Sequence, residues 1–584
     1  MRKSWIQLYA PFIVLAMVQA MLIAVAPSRG GGDGGNDLSA LSAEGSGPAG
    51  SSDFGDSSSG GGAGTGSFSA GGDTSTGGGT TAGDTGGGTT AGGDSAGGGA
   101  GGGGGAAAGG GGGGGDTSHC KGELQIDILL NGNPPCVPKF EGDNGGATYQ
   151  GVTGDAIKIV FFSSKPNEQV DAILASQGLA VPQAESRAFT QLALDFAQKH
   201  YEMYGRKLQV EYVEGECPTT PPDYDVCNAE AQKVVKANPF MVVWGTPLYA
   251  SVFDIWAKAG IVALGGWHFD NNFFTQRRPF RYDPFMQGTE SADFISEYFC
   301  KKLAKQNASH SGAVIHPQIG ARGQVERKLG IVVPEIEANV LTAKQVAATV
   351  KQCNGADVPI FTYESDIERA TQQTQAVVSG LIAAGVTTVT CMCDPIAPAF
   401  LTKGMTGNGY FPEYLISGMG FVDDDLVGRL YDQQQMQHAF GPSHLGTAIP
   451  RSEGDSARVW RDMGQQGHPC GDNGCGINWA YANLIGTAIH MAGPNLNPLT
   501  LERGLLTMPE SGGWEKAQDP RVLLIKYGQN DYTGFSDVRE VYWSNTKQSP
   551  VDGDRGAYVD VNGGARYRLG AIPGGFEGIP VEPQ

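Results

Sequence analysis

One stretch, Asn238 to Asp270 (NPFMVVWGTPLYASVFDIWAKAGIVALGGWHFD), constrains the fold of this chain more than any other. Phe240–Trp244 is a short apolar run, too short for a helix, and Gly245 and Pro247 break it. Ser251–Ala259 then sets Val252, Ile255 and Trp256 at the i, i+3, i+4 spacing of a helix lying on a sheet. Gly260 stops that helix, and Ile261–Leu264 is a second buried strand followed by a glycine pair. Strand, helix, strand in this order means parallel strands joined by a right-handed crossover. Ligands of such sheets bind beyond the carboxyl ends of the strands. Here those ends are the loops Gly245–Tyr249 and Gly265–Phe269.

The alternation continues on both sides. Asp155–Ser163 is a strand, Glu185–Tyr204 a helix with Phe189, Leu192, Ala193 and Phe196 on one face, Leu208–Tyr212 a strand and Asn228–Ala237 a helix. After a long helix at Thr289–Lys305 a second series begins. Its strands are Leu329–Val333, Pro359–Tyr363, Thr387–Cys393 and Glu413–Ser417, and its helices are Asn339–Lys351, Glu368–Ala384 and Ala397–Gly404. Helices follow at Asn478–Met491 and Leu499–Leu506, then short strands from Arg521 onward. Two βα series with a β-rich tail predict an α/β protein of two similar lobes. The predicted division is 151–288 with about 435–520 for lobe 1 and 289–434 with about 521–584 for lobe 2.

The first fifth of the chain is different. Arg2 and Lys3 precede an apolar run from Trp5 to Ala26, read as a signal peptide or a retained membrane anchor over 1–28. A helix of about 22 residues spans about 33 Å, enough to cross a bilayer. Ala24-Val25-Ala26 has the small residues of a cleavage site, as does the region of Ala20, so removal and retention both stay open. Residues 29–117 are Gly, Ser, Ala, Thr and Asp with few apolar side chains, which cannot offset the entropy of ordering a chain. They read as a disordered tether, about 50 Å end to end for about 88 residues. Residues 118–150 are a disulfide-stapled lead-in.

The formal charge is −20; residues 1–118 hold three bases and nine acids, leaving 37 bases and 51 acids for the rest. That acidic balance excludes nucleic acid and anionic membrane surfaces as partners, leaving membrane contact to the N-terminal segment. Ten cysteines with an export signal predict disulfides, and three pairs close in sequence stand out: Cys120 with Cys136, Cys217 with Cys227, and Cys470 with Cys475. Cys300, Cys353, Cys391 and Cys393 allow three pairings. Cys391 and Cys393 stand two apart on a predicted strand and are not expected to pair with each other. No Cys/His spacing suits zinc, Asp423-Asp424-Asp425 lacks the spacing of a calcium loop and reads as a helix cap, and no phosphate-binding G-x-x-x-x-G-K-[ST] is present. Neither metal nor cofactor is expected. His268 has no Ser or Cys nucleophile placed beside it, so no catalytic constellation is read.

TGDAIKIVFF, LALDFAQKHYEMYGRKLQV and NPFMVVWGTP with AGIVALGG resemble the first lobe of type I periplasmic binding proteins, in particular the Leu/Ile/Val-binding branch of ABC-transporter substrate receptors. RKLGIVVPE, FTYES and GVTTVTCMCDPIAPAFL resemble the second lobe. INWAYANLIGTAIHMAG resembles the helix that returns to the first, and DVREVYWS to GGARYRLG the C-terminal hairpin. The resemblance implies two doubly wound parallel-sheet lobes joined by a hinge, with a solute held between them and a permease as partner. Carried onto this chain, it places ligand contacts at Ser163, Ser164, Thr246, Leu248, Tyr249, Trp267, His268, Phe269, Glu335, Glu337, Asp394, Ile396 and Phe421. The Ser and Thr that hold an amino-acid carboxylate in that branch are replaced by Gly265-Gly266-Trp267-His268-Phe269, and Ile396 stands where a Glu takes the ammonium. A more aromatic or apolar ligand is implied. The resulting expectation is an extracytoplasmic solute receptor of an ABC importer, not an enzyme. The alternatives are a sensory ectodomain acting through a membrane partner and, less favoured, a secreted enzyme.

Overall fold

The computed structural model describes residues 115–128, 130–245, 249–266, 269–467, 470, 474–576 and 579, all within one unit of the chain. The stretch 1–28 read as a leader or anchor, and nearly all of the stretch 29–117 read as a tether, lie outside them. Among the described residues no helix is long and apolar enough to cross a membrane.

Two parallel sheets organise the molecule. The first holds β1 (Ala156–Ser163), β2 (Lys207–Glu214), β3 (Met241–Val243), β4 (Val262–Leu264) and β5 (Arg281–Tyr282), in the order β2-β1-β3-β4-β5. All its pairings are parallel. The inner strands β1, β3 and β4 are near-continuous apolar runs because helices cover both faces; Ile157, Ile159 and Val160 of β1 are all fully buried. Val243 pairs with Leu264, and Leu264 with Tyr282, so three carboxyl ends finish level. Gly265 leaves β4 at φ +131°, and a Cβ there would stand 1.8 Å from the Trp244 carbonyl oxygen. Only glycine lets the two strand exits run this close.

The second sheet holds β6 (Leu329–Pro334), β7 (Ile360–Tyr363), β8 (Thr388–Cys391), β9 (Glu413–Leu415), β10 (Ala439–Ser443), β11 (Val538–Gln548) and β12 (Arg555–Asp560). Its order is β12-β11-β10-β9-β8-β6-β7, and an eighth short strand, Arg566–Tyr567, pairs antiparallel with β11 off that path. The five strands from β7 to β10 are parallel, and β11 and β12 add antiparallel to that edge. Numbered from its own first strand, the parallel part again reads 2-1-3-4-5. The molecule is thus an α/β protein of two doubly wound lobes built on one topology. Ala439–Ser443, which the division at about 435 assigns to lobe 1, is a strand of the second sheet.

The helices follow the strand ends. In lobe 1 they are α1 (Glu168–Ala175), α2 (Gln183–His200), α3 (Tyr224–Ala237), α4 (Ala250–Lys258) and α5 (Asn271–Gln276). In lobe 2 they are α6 (Gly288–Tyr298), α7 (Glu337–Asn354), α8 (Ala370–Ala383) and α9 (Ala397–Gly407). The chain crosses between lobes three times: from β5 to α6, from β10 back to α10 (Gly474–Ala492), and from α11 (Pro498–Thr507) out to β11. α10 packs on α2 through Gly486, where a Cβ would come 2.8 Å from that of Ala197. The crossings are bonded to each other: Asp283 N donates to Tyr532 O (3.1 Å), Gly534 N to Asp283 O (3.0 Å) and Arg539 Nε to Leu445 O (3.0 Å).

All ten cysteines are paired. Cys120–Cys136, Cys217–Cys227 and Cys470–Cys475 are disulfides, and Cys300–Cys353 ties the turn after α6 to the end of α7. Cys391 and Cys393 pair with each other, against the sequence expectation. The strand ends at Cys391, so Cys393 has left the pleat and the alternation that would hold the two side chains parallel no longer applies. No disulfide joins one lobe to the other.

Candidate functional site

In each lobe the strand order reverses between the first and third strands, at β1/β3 and at β6/β8. Residues just past both reversals wall one cavity of about 550 Å³. Lobe 1 contributes Ser164 after β1, Trp244 and Gly245 after β3, Thr219 and Thr220 from the Cys217–Cys227 loop, and Val170 and Leu174 of α1. Lobe 2 contributes Pro334, Ile336 and Asn339 after β6, Tyr363 to Ile367 after β7, and Asp394 to Ala397 after β8. The cavity continues into lobe 2 between α8 and α9, where Val377, Phe400 and Leu401 line it.

The polar groups are few. Tyr363 donates its hydroxyl to Asp394 Oδ2 (2.7 Å), and burial followed by the nearby carboxylate pushes that phenol well above its usual range. Asp394 Oδ1 accepts from Ile396 N (2.9 Å) and Ala397 N (3.0 Å), at the entry to α9. Trp244 Nε1 donates to Ser164 Oγ (3.0 Å). Asn339, on the first turn of α7, is 3% exposed, and its Oδ1 has no partner. Among the described residues, Ile367 N donates to Thr220 Oγ1 (3.0 Å) across the cleft.

A second cavity of about 530 Å³ lies against the crossings. Phe285, Leu445 to Arg451, Leu523, Ile525, Tyr527 and Phe535 line it, with Trp479 and Leu484 of α10 and with Phe421 and Asp424 of lobe 2. Burial, with Asp425 alongside, pushes the Asp424 carboxyl up to about 7. Asp424 also caps the short helix Asp425–Gly428, accepting from Leu426 N (2.9 Å) and Val427 N (3.4 Å). Leu174 and Pro395 line both cavities.

The thirteen sequence-predicted contacts divide. Ser164, Asp394 and Ile396 line the first cavity and Phe421 the second. Ser163 ends β1 one residue short of the wall. Glu335 and Glu337 are exposed at the rim, with Ile336 between them turned inward. Tyr249 and Phe269 are in the core of lobe 1 instead of on a cavity, both fully buried. Tyr249 stacks on Trp244 and donates its hydroxyl to Pro218 O, while Phe269 stacks on Phe273 at 4.1 Å. Thr246, Leu248, Trp267 and His268 lie outside the described residues. Asn339, Thr220, Ile367 and the α1 side chains were not foreseen. The only signal for them was position, just past a strand end or inside a disulfide loop.

No protein-family model matches the chain, and no curated protein sequence matches it. Among solved structures, the solute-binding protein of an ABC transporter from R. palustris in complex with 4-hydroxybenzoate is similar at 12% identity and a TM-score of 0.49, over 71% of this chain and 98% of its own. A fatty acid ABC transporter substrate-binding protein from Thermomonospora curvata aligns at 13% identity and 0.48, over 72% and 97%. A leucine-, isoleucine-, valine-, threonine- and alanine-binding protein from Brucella ovis, in its closed conformation, aligns at 12% and 0.46, over 72% and 98%. At such identities no residue-by-residue correspondence follows.

Proposed function

We propose that this chain is an extracytoplasmic solute receptor, holding a small organic molecule between its lobes and delivering it to an ABC-type permease. The observation that carries the reading is the placement of the first cavity: two copies of one topology aim their switch points at a single space. A switch point is where an open α/β sheet leaves a crevice between diverging loops. Two crevices facing each other enclose a ligand from both sides. A volume of about 550 Å³ falls within the usual range of about 300–1,000 Å³ for small-molecule sites.

The action is non-covalent. Among the described lining residues there is no histidine, and the one cysteine, Cys391, is in a disulfide. The solute meets one lobe first, and closure adds the other. It favours the closed form only by binding that form more tightly. The Thr220–Ile367 bond is one contact the closed form gains without ligand. A leader followed by a Gly-rich tether fits a receptor held outside the cytoplasm near its permease.

The test is thermal unfolding of the whole protein against amino acids, amides, polyamines, aromatic acids and short apolar acids. A solute at about 100 times its Kd adds about 2.7 kcal/mol of stability. A shift with one class, together with loss of uptake of that solute when the protein is deleted, supports the reading. Unchanged uptake removes the transport role.

A further inference from the structure

The second cavity takes no part in the solute site and nearly matches it in size, at about 530 Å³. Both lobes and all three crossings wall it: Leu174 and Phe421 from the lobes, Phe285, Leu445 and Phe535 from the crossings, and Trp479 from α10. Phe285 meets the rings of Phe421 (5.2 Å) and Phe535 (5.3 Å) edge-on. The charged lining side chains are Asp424, Arg451, Asp455 and Arg521, and the protein itself engages all four. Asp455 Oδ2 accepts from Asn131 N (3.0 Å) and Nδ2 (3.1 Å), and Arg521 Nη2 pairs with Asp519 (2.6 Å). Arg451 Nη2 lies 3.9 Å from Asp552, and Asp424 caps the helix that follows it. The two amides are committed as well: Asn131 Oδ1 accepts from Leu523 N (2.9 Å), and Asn483 Nδ2 donates to Asn131 O (3.1 Å). A charged occupant would shed its water here and meet only opposite charges that are already held. An apolar occupant gains simply by leaving water.

We propose that this cavity is an effector site for a neutral apolar molecule of the size of naphthalene, and that its occupant holds the lobes closed. An apolar cavity of about 150 Å³ suffices for benzene, so about 530 Å³ admits a larger body. The wall is whole only while Leu174 of lobe 1 and Phe421 of lobe 2 face the same space. An occupant therefore touches more in the closed form and favours it by that difference. The coupling is reciprocal: a solute in the first cavity and an effector in the second each tighten the other's binding. That last consequence rests on the first cavity being the solute site.

The experiment is fluorescence titration of the full chain with naphthalene, with naphthoate as its anionic relative and naphthylmethylamine as its cationic one. Naphthalene should bind about tenfold or more tightly than either charged relative. Ala480→Trp fills the cavity from α10 and Ala448→Phe fills it from the second crossing. Each should weaken naphthalene by about tenfold or more, and melting curves of both check that the fold is kept. Ala397→Trp, which fills the first cavity, should leave naphthalene binding unchanged. In Thr220→Val, which lacks the bond across the cleft, naphthalene should lower the radius measured by scattering. A charged relative binding as tightly, or silence from all three, would overturn the proposal. So would binding that Ala397→Trp abolishes and that Ala480→Trp and Ala448→Phe leave intact. Binding in the second cavity with the radius of Thr220→Val unchanged would overturn the hold on the lobes. None of these readouts involves uptake, so a failure here is distinct from a failure of the transport role.

Discussion

The two lobes share a strand order and use it in opposite ways. In lobe 1 the switch point is filled: Trp244 is 3% exposed, stacks on Tyr249 and meets the edges of Phe162 and Trp256. In lobe 2 the matching crevice is lined by Val332, Cys391 and Ala397, side chains too small to close it, and the cavity runs on between α8 and α9. Topology therefore decides where a site can be, and side-chain volume decides which lobe hosts it. Lobe 1 is the wall and lobe 2 the receptacle.

The largest effects should fall on lobe 2, at a buried ion pair beneath its sheet. Arg327 and Glu413 are both fully buried and doubly bonded, at 2.8 and 2.9 Å, and the carboxylate also takes His310 N and Thr388 Oγ1. Glu413→Ala strands the guanidinium and should cost about 3–5 kcal/mol in chemical denaturation. Acid should also strike lobe 2 harder. Burial first, then nearby arginines, lowers His310 and burial first, then His310 and Arg322, lowers His438, each to about 4 from 6.5. Between those values the unfolded chain binds the protons and the folded one does not, so stability should be complete above pH 6.5 and fall as pH drops toward 4. His438→Leu should flatten that slope in a pH series of melting curves.

Smaller effects separate the wall from the receptacle. Trp244→Phe keeps the stack and loses the bond to Ser164. It should cost about 1 kcal/mol of stability and leave ligand affinity nearly unchanged. An affinity loss as large as that of a lobe 2 variant would erase the distinction between the lobes. Smallest of all, Thr220→Val removes the bond across the cleft and should weaken the closed form by about 0.5–1.5 kcal/mol. That would be seen as lower ligand affinity and a larger radius in scattering, with the unfolding midpoint of the free protein barely moved.

Much of this architecture was legible in the chain because apolar runs of five or six residues alternated with helical periodicity. Elements without that signature were missed. α1 buries none of its residues; it is set by its Asn167 cap, which accepts from Gln169 N and Val170 N. β10 reads AFGPS, and its glycine and proline suggest a turn, yet all five residues are buried between β9 and β11. Ser164, Asp394 and Ile396 could be found because strand ends point to a site. Tyr249 and Phe269 stood in equally promising loops but turn inward, since aromatic neighbours offer them more burial than a cleft does. Asn339 and Thr220 depend on what the opposite lobe brings near, and no local pattern carries that.

Leu174 and Pro395 belong to both cavities, the first reached from lobe 1 and the second from lobe 2. The partition between two compartments is therefore assembled from one side chain of each half, and exists only while the halves are together. Any motion that parts the lobes removes the partition as it opens the door, leaving one trough that runs from α8 to the crossings. The open molecule would sample solutes along its whole length, and the closed one would sort them by which side of a leucine and a proline they fit.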